Sequence, residues 1–139
     1  MRRQAVIVDT NVVVAGLLTG NTASPVARIL DGMLTGAIAY ALSEALLAEY
    51  RAVLVRPQLR KLHGLSVTEI DTFLTDIAFN AIVLAPAPAQ PAPDPGDQLL
   101  WELLAARPDL LLVTGDKLLQ RDPGMSGRVI EPAAFAATF

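Results

Sequence analysis

Two short apolar runs, each followed by an aspartate, constrain the fold of this chain more than any other feature. The run from Ala5 to Val8 leads directly into Asp9, and the run from Leu110 to Val113 is followed within three residues by Asp116. Neither run alternates with polar residues, which is typical of parallel strands buried on both faces. If the two strands are neighbours, about 4.8 Å apart, their aspartates meet at the carboxyl edge of the sheet, where α/β proteins form their sites. Either aspartate alone could cap a turn or a helix, but their matched placement favours a shared site.

The remaining sequence alternates between helix and strand patterns. We predict helices from Ser24-Pro25 to Gly36, from Ser43 to Arg56, from the capping box Ser66 to Glu69 onward to Ala78, from Gln98 to Ala106, and a short one opening at Pro132. Further strands are predicted over 37–42, 81–84 and 128–130, while Val12 to Val14 continue the apolar character past Asp9. The proline-alanine stretch 86–95 is expected to be an extended surface connection. This order predicts one α/β domain over residues 1–139, a sandwich with a mainly parallel sheet.

The residue types limit the chemistry. The chain has no cysteine and one histidine, which excludes thiolate sites and argues against histidine-rich zinc sites and Ser-His-Asp triads. Any chemistry therefore depends on carboxylates. The net charge of −3 argues against a module that binds nucleic acid by bulk electrostatics. It does not exclude a nuclease, because cations held in an acidic pocket reverse the local field.

Composition also bears on location and assembly. No apolar run reaches the roughly 18 residues of a membrane span, and the first residues do not resemble a signal peptide, so we expect a cytoplasmic protein without a membrane anchor. The chain is 53% hydrophobic and only 18% charged. That composition predicts exposed apolar helix surface, and with it a homodimer.

Two more carboxylates belong to predicted helices. Glu49 lies at the border of the buried face of the helix from Ser43 to Arg56, and Asp97 precedes the helix from Gln98 to Ala106. Taken singly, Glu49 is better explained as a glutamate at the polar margin and Asp97 as a helix cap. A helix that begins at the carboxyl edge of the sheet would, however, bring Asp97 to Asp9 and Asp116.

The order of the acidic motifs resembles that of PIN domains. The motifs are Asp9-Thr10-Asn11, Ser43 to Tyr50 with its internal Glu49, Asp94-Pro95-Gly96-Asp97, and Leu112 to Lys117. The likeness covers nearly the whole chain. It is closest to short bacterial and archaeal PIN proteins described as toxins of toxin-antitoxin pairs, in which segments like Arg56-Pro57 and Pro132 to Phe135 recur.

The resemblance implies a PIN-like three-layer sandwich with ribonuclease activity that leaves 5'-phosphate and 3'-hydroxyl ends. It also implies an antitoxin that covers the acidic cleft. Oxygen ligands without histidine or cysteine independently favour Mg²⁺ or Mn²⁺ over zinc. Carried over by position, the catalytic and metal-binding residues would be Asp9, Glu49, Asp97 and Asp116. Asn11 and Thr114 would orient the site through hydrogen bonds, and Ser43 would lie near the metal.

A cluster of basic residues could contact the RNA. It consists of Arg51, Arg56, Arg60 and Lys61, the one local positive cluster in an acidic chain. These side chains could follow an RNA backbone or face an acidic partner. A solvated helix end is the simpler interpretation.

The sequence departs from the family pattern around Asp97. Gly96 and Gln98 flank it where relatives often carry more acid, which leaves Asp94 as the nearby reserve and predicts a weakly held second metal. A degenerate, non-catalytic PIN-like module that binds RNA or a protein partner therefore stays open as an alternative. An aspartyl phosphatase fits less well, because Asn11 stands where such enzymes usually carry a second aspartate.

Overall fold

A parallel β-sheet organises the structure, a computed structural model that describes residues 3–125 and 127–139. Strand β1 (Val6–Val8) pairs with β4 (Leu111–Val113), and β4 pairs with β5 (Val129–Ile130). Strands β2 (Ala41–Leu42) and β3 (Ile82–Val83) form a second parallel pair. A parallel bridge between Val6 and Tyr40 joins this pair to the three-stranded sheet β1-β4-β5, which gives the order β3-β2-β1-β4-β5.

Helices flank this sheet, as predicted for an α/β sandwich. They are α1 (Thr10–Leu18), α2 (Pro25–Thr35), α3 (Glu44–Leu54), α4 (Pro57–His63), α5 (Val67–Asn80), α6 (Gln98–Ala106), α7 (Lys117–Arg121) and α8 (Pro132–Ala136). Short 3-10 turns cover Pro95–Asp97 and Pro123–Met125. Within the described residues, every helix is too short or too polar to cross a membrane.

Local capping explains why α2, α3 and α5 begin where the sequence predicted. Ser24 and Ser43 cap α2 and α3, each hydroxyl accepting a hydrogen bond from a backbone N–H of the first turn. Ser66 and Glu69 form the predicted capping box of α5. At the other end of α2, Gly36 adopts a φ of 79°, a left-handed conformation that terminates helices readily when the residue is glycine.

The sequence prediction omitted helices α1, α4 and α7 and made the second strand too long. Val12 to Val14 do not simply extend an apolar run: they belong to α1, which the Asp9 side chain caps. Pro57, which follows the predicted helix from Ser43 to Arg56, opens α4, where proline at the first helical position costs no hydrogen bond. The second strand is shorter than 37–42, since the Ile38 N–H donates to the Gly32 carbonyl at the end of α2 instead of entering the sheet.

Buried tyrosines tie the helices to the strands. The Tyr40 hydroxyl lies among the carbonyls of α2 and α5 and contacts Met33 O (3.2 Å) and Ile77 O (2.7 Å). The Tyr50 hydroxyl, on α3, donates to the Val8 carbonyl at the end of β1. Because Tyr50 is 1% exposed, this bond fixes α3 against the carboxyl end of β1. Glu49 is thereby held beside the residue that follows β1.

Candidate active site

The register of β1 and β4 decides where the site lies. Val8 pairs with Val113, and the Asp9 N–H donates to the Val113 carbonyl at 2.9 Å. The residues that follow the two strands, Asp9 and Thr114, therefore emerge side by side at the carboxyl edge. The sequence predicted this neighbourhood from the two apolar runs.

Asp9 is buried, and hydrogen bonds hold both of its carboxylate oxygens. Its Oδ1 accepts from the Thr10 N–H at 2.7 Å, and its Oδ2 accepts from the Thr114 hydroxyl at 2.8 Å. Burial raises the pKa of Asp9 above its ordinary value, these two bonds lower it, and the charges of Glu49 and Asp116 raise it further. Asp9 is therefore held in one orientation. No cationic side chain is among the groups that shift its pKa.

Thr114 joins the two strand ends. Its hydroxyl donates to Asp9, accepts from the Asp116 N–H at 3.0 Å, and lies 3.3 Å from the Asn11 amide nitrogen. Asn11 in turn accepts from the Gly115 N–H at 3.2 Å through Oδ1. Asn11 and Thr114 thus lie between Asp9 and Asp116, where the resemblance would have them orient the site.

Glu49 reaches the site from α3. Its Oε2 accepts a hydrogen bond from the Thr10 hydroxyl at 2.8 Å, and its side chain is half-buried. Thr10 was not among the predicted site residues. Its position between Asp9 and Asn11 was the available signal, because the first turn of a helix capped at the sheet edge must face the site.

Asp97 sits at the start of α6 but does not cap it, since its side chain accepts no hydrogen bond from the helix. Desolvation raises the pKa of Asp97 to about 6, and the charges of Asp9, Asp94, Asp116 and Glu49 add to the shift. Its carboxylate is therefore not used by its own helix. It responds instead to the other acids of the site.

Asp116 contrasts with Asp97, because its Oδ1 caps α7 by accepting from the Leu118 N–H at 2.9 Å. Asp94, the reserve acid, also has a local role, since its Oδ1 accepts from the Gly96 N–H at 2.9 Å.

The Gln98 side chain is hydrogen-bonded to the proline-alanine connection. It accepts from the Ala92 N–H at 2.7 Å and donates to the Gln90 carbonyl at 3.2 Å. An acid at position 98 could accept the first bond but could not donate the second.

All four predicted carboxylates line one open cleft of about 500 Å³. Its other lining residues are Thr10, Asn11, Val14, Ala15, Leu18 and Val53, so the acids face polar residues on one side and aliphatic residues of α1 and α3 on the other. The cleft has no cationic lining residue in the described part of the chain. Four acids without a counter-charge, all offering hard oxygen ligands, fit a divalent cation such as Mg²⁺ or Mn²⁺.

The acids do not form a ready-made ligand set. Among residues 3–125 and 127–139, no three acidic or histidine side chains are grouped closely enough to hold a metal ion as they stand. Ionised carboxylates repel one another, so a cation would have to draw them together. The structure therefore gathers the acids around one space without bringing them into coordination distance.

Ser43 and the predicted basic residues lie outside the cleft lining. The Ser43 hydroxyl is 2% exposed and accepts from the Leu46 N–H at 3.2 Å, as the cap of α3. Arg51 pairs with Asp71 at 2.8 Å and lines a separate groove between α3 and α5. Arg60 and Lys61 line another depression, at the end of α4. The basic cluster expected from sequence is thus divided, with Arg51 on a different surface from α4.

Comparison with known proteins agrees with this geometry. A family model described as PIN domain matches residues 5–118. The matched range contains all four carboxylates of the cleft together with Asn11 and Thr114. A search of curated proteins found no match.

Proposed function

The chain belongs to the PIN domain family, whose members are typically nucleases, and from this premise we propose that it is a metal-dependent endoribonuclease. One observation carries the proposal: Asp9, Glu49, Asp97 and Asp116 line a single cleft that no cation of the described chain neutralises. A cleft of this charge would repel the phosphate of a nucleic acid unless divalent cations occupied it.

The four carboxylates would hold the Mg²⁺ or Mn²⁺. When bound, such an ion supplies activation of water for attack on phosphorus and offsets charge on the phosphate. The protein's own contribution is orientation. Asp9 cannot rotate, because Thr10 and Thr114 hold its two oxygens, and Glu49 is held by the Thr10 hydroxyl.

The choice of RNA as substrate is supported by the likeness of the motifs to those of short prokaryotic PIN proteins. Hydrolysis would leave 5'-phosphate and 3'-hydroxyl ends. Beside the acids, the cleft offers an aliphatic wall formed by Val14, Leu18 and Val53. This wall is where sugars or bases next to the scissile phosphate would lie.

The same likeness supports a role as the toxin of a toxin-antitoxin pair. An antitoxin that covers the cleft would have to bring positive charge to it, because the lining carries four acids and no base in the described residues. Co-expression with the protein encoded by the neighbouring gene tests this role. We expect the two proteins to copurify and cleavage to be suppressed; separate elution with full activity would contradict it.

Cleavage of labelled single-stranded RNA by the purified protein tests the enzymatic proposal. We expect cutting with Mn²⁺, loss of cutting with excess chelator, and loss in Asp9→Asn, which keeps the size of the side chain but removes its charge. Asp76→Asn is the matched control, because Asp76 is exposed on α5 and does not line the cleft.

Cutting that survives the chelator, or that Asp9→Asn retains, would contradict the proposed mechanism. No cutting of several RNAs in the presence of Mn²⁺ would favour the alternative, a non-catalytic module that binds RNA or a partner. A parallel reaction on single-stranded DNA of the same sequence decides whether the activity is specific for RNA.

A further inference from the structure

Most cationic side chains in the described residues are already engaged by the protein. Their partners are backbone carbonyls, carboxylates or an aromatic ring. The engaged cations are Arg3, Arg28, Arg51, Arg107, Lys117 and Arg128. The side chains of Arg56, Arg60, Lys61 and Arg121 have no hydrogen bond or ion pair with any described residue. Three of these four lie within six residues of one another.

We call the region that carries these three side chains, Arg56, Arg60 and Lys61, the α4 surface; all three are exposed, and Arg60 and Lys61 line one depression. Arg60 and Lys61 belong to the last turn of α4, where positive charge is favourable to the helix itself. Arg56 precedes the helix, so that effect does not explain it. Leu62 on the same short helix is 68% exposed, which leaves an apolar side chain open beside the cations.

The α4 surface adjoins the acidic cleft. Helix α4 packs against α1 and α3, the two helices that supply the aliphatic wall. Val53 lines the cleft, and the Arg56 N–H donates to the Val53 carbonyl at 3.2 Å. At 1.5 Å per residue, the chain from Glu49 to the end of α3 rises about 8 Å, the length of two to three stacked nucleotides at about 3.4 Å each.

We propose that the α4 surface binds the phosphate backbone of a single-stranded RNA whose scissile phosphate lies in the acidic cleft. This inference rests on the ribonuclease proposed above. The acids repel a polyanion everywhere except at bound cations, so a substrate longer than one phosphodiester needs positive charge beyond the cleft. Free Arg and Lys side chains bind phosphates without reading bases, so this contact adds affinity without adding sequence preference.

Arg51 is outside this surface, although the sequence grouped it with the other three. Its guanidinium is paired with Asp71 and faces the groove between α3 and α5. The inference therefore predicts a difference between cations that look equivalent in sequence. That difference makes it testable by comparing two sets of substitutions with the same change in net charge.

The experiment measures equilibrium binding of a fluorescently labelled oligouridine with Mg²⁺ present, in an Asp9→Asn background so that no cleavage occurs. One protein carries Arg56→Gln, Arg60→Gln and Lys61→Gln. The control carries Arg51→Gln, Arg107→Gln and Arg121→Gln, three exposed or half-exposed cations off the α4 surface. Dissociation constants are determined over a series of salt concentrations.

We expect the first set to weaken binding by about tenfold or more at low salt. It should also reduce the slope of log K against log salt by about 2, since each phosphate contact on a single strand contributes about 0.7. The control set should keep the slope and stay within about threefold of the parent. Equal weakening by both sets, no effect of the first set, or no RNA binding at all would overturn the inference.

Competition with polyglutamate separates a nucleic acid from an acidic protein partner. We expect unlabelled oligouridine to displace the label and polyglutamate of matched charge to do so much less; equal displacement would overturn the assignment to RNA. The inference and the proposed function fail separately. Binding that depends on the α4 surface, in a chain that never cuts RNA, refutes the ribonuclease, while cutting with binding indifferent to this surface refutes the inference.

Discussion

Thr114 is the residue on which most of the site converges. It is fully buried, and its one hydroxyl serves Asp9, Asp116 and Asn11. A hydroxyl is required because the same atom must donate to a carboxylate and accept from a backbone N–H. Neither valine, with the same shape, nor alanine can do either.

We expect Thr114→Ala to lower the free energy of unfolding by about 1–3 kcal/mol, because it removes a hydrogen bond to the buried Asp9 carboxylate and the acceptor of the half-buried Asp116 N–H. Mn²⁺ affinity should fall by about 10- to 100-fold, as when other groups that orient metal ligands are removed. Thr114→Ser keeps the hydroxyl and should restore most of both. Chemical unfolding and calorimetric titration measure the two effects; an alanine variant with unchanged Mn²⁺ affinity would contradict the orienting role.

The raised pKa of Asp97 predicts a pH dependence of stability in the metal-free protein. The folded-state pKa of about 6 lies above the ordinary value of 3.8, so folding favours the protonated form. The stabilisation is full below about pH 4 and is lost as pH rises through about 6. The free energy of unfolding, measured with chelator present, should therefore fall over this range through the contribution of Asp97.

Asp97→Asn should flatten that pH profile, because an amide does not titrate, whereas Asp76→Asn should leave it as in the parent. Asp9, whose pKa is also raised, adds a change of the same sign that remains in both variants. The same slope in Asp97→Asn and the parent protein would show that folding does not raise the pKa of Asp97.

At the scale of elements, the predicted serine caps are found at the starts of α2, α3 and α5, but a capping bond does not reveal what else a residue contacts. Ser43 caps α3 with a buried hydroxyl, while the resemblance places it near the metal. Glu49 lies one and a half turns further along the same helix and does face the cleft. If Ser43 acts near the metal, its loss should lower Mn²⁺ affinity; if it acts only as a cap, its loss should lower only the free energy of unfolding.

We expect Ser43→Ala to lower the free energy of unfolding by about 0.5–2 kcal/mol and to leave Mn²⁺ affinity within about twofold, as for loss of a cap alone. Ser24→Ala is the matched control, because Ser24 caps α2 in the same way and does not line the cleft. A loss of Mn²⁺ affinity in Ser43→Ala that Ser24→Ala does not share would place Ser43 in the metal site.

At the scale of the whole molecule, apolar surface is left uncovered. Phe79 at the end of α5 is 86% exposed, and Val83 on the edge strand β3 is 64% exposed. Exposed apolar residues this close in the chain are typical of an interface. We propose that this surface is the contact of the homodimer expected from composition.

We expect sedimentation equilibrium to show a dimer and Phe79→Ser to shift it towards monomer. Leu118→Ser is the control, since Leu118 is 78% exposed but belongs to α7, beside the cleft. A monomeric parent protein would refute the dimer. Dissociation by Leu118→Ser alone would move the interface to the cleft side.

The sequence by itself determined the parts of this protein that depend on neighbours along the chain. Buried aliphatic runs predicted strands β1 and β4, and serine caps predicted the starts of α2, α3 and α5. Together they predicted the α/β class and the shared sheet edge of Asp9 and Asp116. These signals are local, because strand burial and capping are read within a few residues. Helix α1 was not predicted, since the apolar residues after Asp9 suit a strand as well as a helix.

Only the tertiary structure decided how distant segments meet. In the folded chain, the Thr10 hydroxyl donates to Glu49, the Asp97 side chain makes no capping bond with α6, and Gln98 bonds the proline-alanine connection. It also separated Arg51 from Arg56, two residues that sequence places in one cluster, by pairing Arg51 with Asp71. Contacts across the fold depend on packing and on competition between partners, and spacing along the chain does not encode them.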